Sequence, residues 1–203
     1  MSFAGGAGGV LFALSAFLGC DRLDTASPAR CPGRFAADPV RQARIVERLA
    51  AGAEGRAVIA GQGQPIRMCF GAVPSSVVTE QGTLLMDAGL DDARAAARAA
   101  HLLLHLADGL PALVKAGGDC DARVEKALRA EARALALELR LLRELGAPPP
   151  EGGAWEVEGI HWAAAPGERE AALVAYLRAH PDGAPGVDAL ASGYARRCAK
   201  GKE

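Results

Sequence analysis

The chain has 203 residues, of which 50% are hydrophobic and 23% are charged, and it carries a formal net charge of −1. This length suffices for one sizeable core, or for one core with a small appended unit, and the composition excludes a disordered protein. Lysine and arginine are spread along the chain without a basic arm, so nucleic acid is not an expected partner.

The first 19 residues contain no charged side chain and end directly before Cys20. Such a segment is typical of a signal peptide, and it is marginal as a transmembrane helix in both length and hydrophobicity. The sequence Phe17-Leu18-Gly19-Cys20 resembles the lipobox of bacterial lipoproteins, in which the cysteine is lipidated and becomes the new N-terminus. The resemblance implies a lipid on Cys20 that tethers the protein to the membrane, on the periplasmic side of the cell envelope. An uncleaved anchor and a misplaced start codon are the alternatives, and no protein partner is indicated.

Four further cysteines, an even number in a chain that is expected to be exported, are Cys31, Cys69, Cys120 and Cys198. Two disulfides are predicted, because an oxidising compartment favours their formation. The wide spacing argues against a zinc ribbon and a C-x-x-C redox motif, both of which need close pairs. All three pairings of the four cysteines stay open.

An irregular tether over residues 20–37 precedes the first predicted helix. Asp38 and Pro39 begin this helix, since Asp accepts hydrogen bonds from free backbone N–H groups and Pro fits the first helical position. The helix is predicted to end at about Gly52 and to bury Val40, Ile45, Val46 and Leu49. Residues 66–70 and 83–86 then have strand composition, with a turn at Gln81-Gly82, and a small antiparallel sheet is predicted.

Two longer helices complete the predicted core, which spans residues 38–147. The first begins at Asp91 or Asp92, carries two histidines and ends near residues 108–109. The second runs from about 121 to 145 and ends before a glycine.

The PPPEGG run at 148–153 is predicted to be a linker to a C-terminal subdomain, residues 154–203. Helices are expected at about 167–179 and 186–198, after a strand. The apolar residues that suggest this strand are Trp155, Val157, Ile160 and Trp162. The subdomain is therefore predicted to be a small α/β unit.

His101 and His105 are one helical turn apart, so both imidazoles project from one face and are able to share a metal ion. The alternative is an ordinary pair of histidines on an exposed or half-buried helix. On the second long helix, Glu131 falls in the middle of the apolar face and Glu138 lies two turns further along the same line.

Burying the Glu131 carboxylate among leucines costs several kcal/mol unless a partner compensates. The candidate partners are Arg94 and Arg98, a proton held at a raised pKa, or a metal ion shared with the two histidines.

The strand TLLMD, the helix with AAHLLLHLADG and a glutamate 26 residues after the second histidine resemble the glutamate-zincin class of metallopeptidases. The resemblance implies an α+β fold with a zincin-like core: a helix, a small antiparallel sheet, the HxxxH helix and a second long helix. It also implies that His101, His105 and Glu131 are zinc ligands. The general base of the class would stand at Leu102.

Leucine has no proton acceptor, so water activation by the route of the class is lost and no enzyme activity is expected. Arg98 lies one turn before His101 and disfavours a metal ion, unless Asp108 or Glu138 pairs with it. The leading hypothesis is a non-catalytic, zincin-like envelope lipoprotein without a cofactor, acting as a structural or interaction module. The alternative is a zinc-binding protein, or a weak metallohydrolase, that uses the three ligand residues.

Overall fold

The computed structural model of the chain describes residues 31–79, 81–109, 119–147, 154–183 and 192–196. The predicted signal peptide, Cys20, most of the tether and the linker at 148–153 lie outside the described residues. The fold class is α+β, as predicted, and none of the described helices is both long and apolar enough to cross a membrane. In chain order the elements are α1 (Pro39–Ala51), α2 (Ala53–Ala60), β1 (Arg67–Gly71), β2 (Val77–Val78), β3 (Thr83–Asp87), α3 (Asp92–Ala107), α4 (Cys120–Glu144), α5 (Ala154–Ala163) and α6 (Arg169–Ala179).

Helix α1 begins where the sequence predicts, and the Asp38 side chain accepts a backbone hydrogen bond of 2.9 Å. Ile45 and Leu49 are fully buried, and Val46 packs against the core. The prediction is wrong for Val40, which is 66% exposed. Val40 precedes Ile45 by five positions, which places it about 140° round the helix and away from the core.

The sheet has the strand order β1-β3-β2, and β1 pairs with β3 in parallel. The predicted antiparallel arrangement of these two strands is therefore wrong. The cause is β2, a short strand that the sequence analysis missed and that pairs antiparallel with β3. The turn before β3 is confirmed, with Gly82 at a φ of 77° that favours glycine. Since β2 takes the outer edge, β3 returns between the other two strands and runs in the direction of β1.

A disulfide joins Cys31 to Cys69 and ties the segment before α1 to the buried strand β1. This confirms one of the structural disulfides that the sequence predicts. Cys120, at the start of α4, is also disulfide-bonded. Cys20 and Cys198 lie outside the described residues.

The segment around Val157 that was predicted to be a strand is helix α5. Val157 and His161 are both buried and lie four residues apart, which is the spacing of one helix face. The alternation of apolar and acidic residues in this segment favours a strand locally. In the structure, Glu156 instead accepts a hydrogen bond from the Tyr176 hydroxyl, which links α5 to α6. Helix α6 confirms the helix that the sequence predicts at about 167–179, and residues 192–196 are also helical. The C-terminal unit is thus helical over its described residues, and the predicted α/β unit is wrong.

Helices α3 and α4 pack against each other at the centre of the molecule. Small side chains let two helices approach closely, so longer polar side chains are able to reach across the interface. The fully buried alanines on these two helices include Ala95, Ala96, Ala99, Ala100, Ala132 and Ala136. This close packing brings the histidines of α3 to the glutamates of α4.

Candidate metal centre

The two histidines of α3 are inside the molecule. Asp91 caps α3 by accepting hydrogen bonds from the backbone N–H groups of Ala93 and Arg94, which sets the start of the helix. His101 and His105 follow one turn apart, and each is only 4% exposed. The alternative that places them on an exposed or half-buried face is therefore wrong.

The structure brings His101, His105 and Glu131 together. The two Nε2 atoms are 2.9 Å apart, and Glu131 Oε2 lies 3.1 Å from His105 Nε2 and 3.5 Å from His101 Nε2. The two imidazole rings meet edge to face, with their centroids 4.5 Å apart. Within the described part of the chain, this is the one group of three or more His, Cys, Asp or Glu side chains with the convergence a metal site needs.

The second oxygen of Glu131 has its own partner. Tyr194 donates a hydrogen bond of 2.8 Å to Glu131 Oε1, and its ring packs on Ala127 and Ala130 of α4. The two arginines that the sequence offered for Glu131 contact other carboxylates: Arg94 lies 3.7 Å from Asp91, and Arg98 contacts another glutamate. Sequence reasoning missed Tyr194, because it lies 63 residues from Glu131 and no local pattern marks it.

Glu138 is the glutamate that Arg98 contacts. Its Oε1 is 3.1 Å from the Arg98 guanidinium, and its Oε2 is 2.9 Å from His101 Nδ1. Arg98 therefore has a counter-charge, which is the condition that the sequence analysis set for a metal ion beside it. The other candidate for that role, Asp108, pairs with Arg133 at 2.8 Å.

The electrostatics of this cluster favour a positive charge between the helices. Burial alone raises the pKa of Glu131, but hydrogen bonding to His101 and His105 outweighs burial and the net shift is downward. Burial alone lowers the pKa of His101, but its contacts with Glu131 and Glu138 outweigh burial and raise it. Burial alone also raises the pKa of Glu138, but Arg98 and His101 outweigh burial and lower it. Both carboxylates therefore favour positive charge beside them, which a protonated His101 or a bound cation would supply.

The donor set fits a divalent ion of zinc type. Zinc takes imidazole nitrogen and carboxylate oxygen at about 2.0 to 2.2 Å in tetrahedral geometry, which places its ligand atoms about 3.3 to 3.6 Å apart. The three ligand atoms form a triangle with edges of 2.9, 3.1 and 3.5 Å. Small side-chain movements therefore suffice to admit the ion.

Leu102, at the position of the general base in the class, belongs to the apolar core and is 4% exposed. It supplies no proton acceptor. Two polar residues contact the members of the triangle from outside. Tyr194 donates a hydrogen bond to Glu131, and Glu138 contacts both His101 and Arg98. His101, His105 and Glu131 form a group that could hold a metal ion, and Leu102 offers no base beside it.

The two remaining histidines lie outside this triangle. His180 Nδ1 contacts the backbone oxygen of Tyr176 at 2.9 Å, at the end of α6. His161 is fully buried on α5 and meets the Trp162 ring edge to face. His161 is not part of the ligand group, so a structural role fits the geometry better than that of a ligand.

Acid is expected to destabilise the natural protein by up to about 3 kcal/mol more than a His161→Leu variant. The pKa of His161 is lowered to about 4, because burial disfavours the imidazolium and the charges of Arg169 and Arg140 add to this effect. The unfolded chain takes up this proton near pH 6.5. The free energy of unfolding therefore keeps its full value above that pH and falls as the pH drops towards 4. Urea denaturation of both proteins over this range measures the difference, and parallel pH profiles would contradict it.

Comparisons with models of protein families, with curated proteins and with solved structures found no match. The resemblance to the glutamate-zincin class therefore stays a prediction from the sequence.

Proposed function

We propose that the chain binds one zinc ion through His101, His105 and Glu131 and does not use it for hydrolysis. The observation that carries the proposal is the convergence of two imidazole Nε2 atoms and one carboxylate oxygen within 3.5 Å of one another. Two buried basic nitrogens facing each other beside a carboxylate form a donor set that zinc satisfies in proteins.

The absence of hydrolysis in this proposal follows from Leu102. Zinc in a peptidase lowers the pKa of its bound water, and a nearby base then takes the proton. Leu102 has no atom that accepts a proton, and it is packed in the core. A zinc ion held here has a structural or ligand-binding role in the proposal.

The zinc content of the purified chain tests the proposal. Elemental analysis after dialysis against zinc is expected to find one zinc per chain. Cobalt substitution is expected to give the visible absorption of a four-coordinate site, with the three protein ligands and one water molecule. A chain that retains no zinc under these conditions would refute the proposal.

A second candidate function is the metal-free structural or interaction module that the sequence favours. It is supported by the pairing already present, since Tyr194 donates to Glu131 and Arg98 pairs with Glu138. The same zinc measurement separates the two candidates. In both, the lipid anchor at Cys20 and the envelope location remain predictions from the sequence.

A further inference from the structure

We infer that Glu138 is a positioning residue for the metal centre, which orients His101 so that its Nε2 atom faces the ion. The inference rests on the proposed zinc-binding function. Glu138 is 6% exposed and touches His101 on the ring nitrogen that faces away from the ligand triangle.

The chemistry of the imidazole explains the assignment. A neutral imidazole carries one N–H, on either Nδ1 or Nε2, and the other nitrogen keeps a lone pair. Glu138 Oε2 lies 2.9 Å from His101 Nδ1, although the pair is outside hydrogen-bond geometry and neither atom has another hydrogen-bond partner among the described residues. Because a carboxylate oxygen only accepts hydrogen bonds, its negative charge at this distance favours the tautomer with the proton on Nδ1. The lone pair then lies on Nε2, which is the atom that faces His105 and Glu131.

Arg98 completes the arrangement. Its guanidinium contacts Glu138 Oε1 at 3.1 Å, while Oε2 faces the imidazole. One carboxylate oxygen is thereby held by an arginine, and the other is directed at the ring. A partner of this kind on the second nitrogen of a ligand histidine sets the ring orientation and increases its basicity.

Helix α4 carries both the proposed ligand Glu131 and the proposed positioning residue Glu138. Glu131 and Glu138 are seven residues apart, which puts their side chains on the same helix face, two turns apart. The first contacts the inner nitrogens of the histidine pair, and the second contacts the outer nitrogen of His101. Two buried carboxylates on one apolar face are costly without such partners.

Glu138→Gln tests the inference, with Glu125→Gln as the matched control. Glu125 lies on the same helix but pairs at the surface with Arg129 and Arg178. Zinc affinity, measured by competition with a chelator, is expected to fall by about 10- to 100-fold in E138Q and to stay unchanged in E125Q.

The tautomer of His101 is a second measurement, and it would not change in E138Q if Glu138 had only a structural role. Nitrogen-15 NMR of the metal-free protein, at a pH where His101 is neutral, is expected to show the proton on Nδ1. In E138Q a mixture of tautomers is expected. If E138Q does not fold, Glu138→Asp is the second variant, because it moves the carboxylate away from His101 by one methylene. Lower zinc affinity and a mixture of His101 tautomers are expected for it as well.

An unchanged tautomer together with unchanged zinc affinity in E138Q would overturn the inference, and Glu138 would then serve only as the partner of Arg98. If the natural protein itself binds no zinc, the proposed function fails. The tautomer measurement needs no metal, so it decides the positioning role of Glu138 separately.

Discussion

Replacing His105 with alanine is expected to lower zinc affinity by roughly 100- to 1000-fold. Structural zinc sites have apparent binding free energies of about 10 to 16 kcal/mol, shared by about four ligands, so one lost ligand costs about 2.5 to 4 kcal/mol. His105 Nε2 is central to the proposed site, because it lies within 3.1 Å of both other ligand atoms. Isothermal titration of zinc into the metal-free protein measures the change.

The matched control for this prediction is His180→Ala. His180 contacts the backbone oxygen of Tyr176 and takes no part in the ligand triangle. The control is expected to bind zinc as tightly as the natural protein. Equal zinc affinity of H105A and the natural protein would show that zinc binds elsewhere.

Zinc is also expected to stabilise the natural protein against unfolding, and H105A is expected to lose most of this effect. A ligand that binds only the folded state stabilises it by about 2.7 kcal/mol at 100 times its dissociation constant. The ligands come from α3 and α4, the two helices that form the centre of the molecule. A metal ion between them therefore resists the separation that unfolding requires.

The parts of this site that the sequence predicts are those that local patterns determine. Helix periodicity places His101 and His105 on one face of α3, and it places Glu131 in the apolar face of α4. The Asp91 cap and the glycine after α4 mark the helix ends closely. The burial of Glu131 at 7% exposure follows directly from its position among leucines and alanines.

The parts that the sequence does not predict depend on contacts between distant segments. Tyr194 donates its hydrogen bond to Glu131 from the C-terminal unit. Arg98 pairs with Glu138 on another helix, and the sequence alone does not single out this partner. The direction of β3 depends on β2, which has only two residues and too little pattern to detect. Helix α5 similarly depends on the burial of Val157 and His161. The local alternation of apolar and acidic residues does not indicate this burial.

The second large effect is expected for Leu102→Glu, which places a glutamate directly after His101, as in the pattern that the sequence resembles. We expect this variant to lose about 3 to 5 kcal/mol of stability, because it places a carboxylate without a partner in the core. Leu102 is 4% exposed and packs with the apolar cluster. Urea denaturation with and without zinc measures the loss.

Leu102→Met is the control, since a change that nearly conserves volume costs less than about 1.5 kcal/mol. Neither variant is expected to hydrolyse a peptide substrate in the presence of zinc. If L102E instead folds as stably as L102M and gains zinc-dependent hydrolysis, the glutamate must reach the metal ion, which would then supply the missing partner for its charge. The stability and activity of L102E therefore test whether a carboxylate at position 102 reaches the bound metal ion.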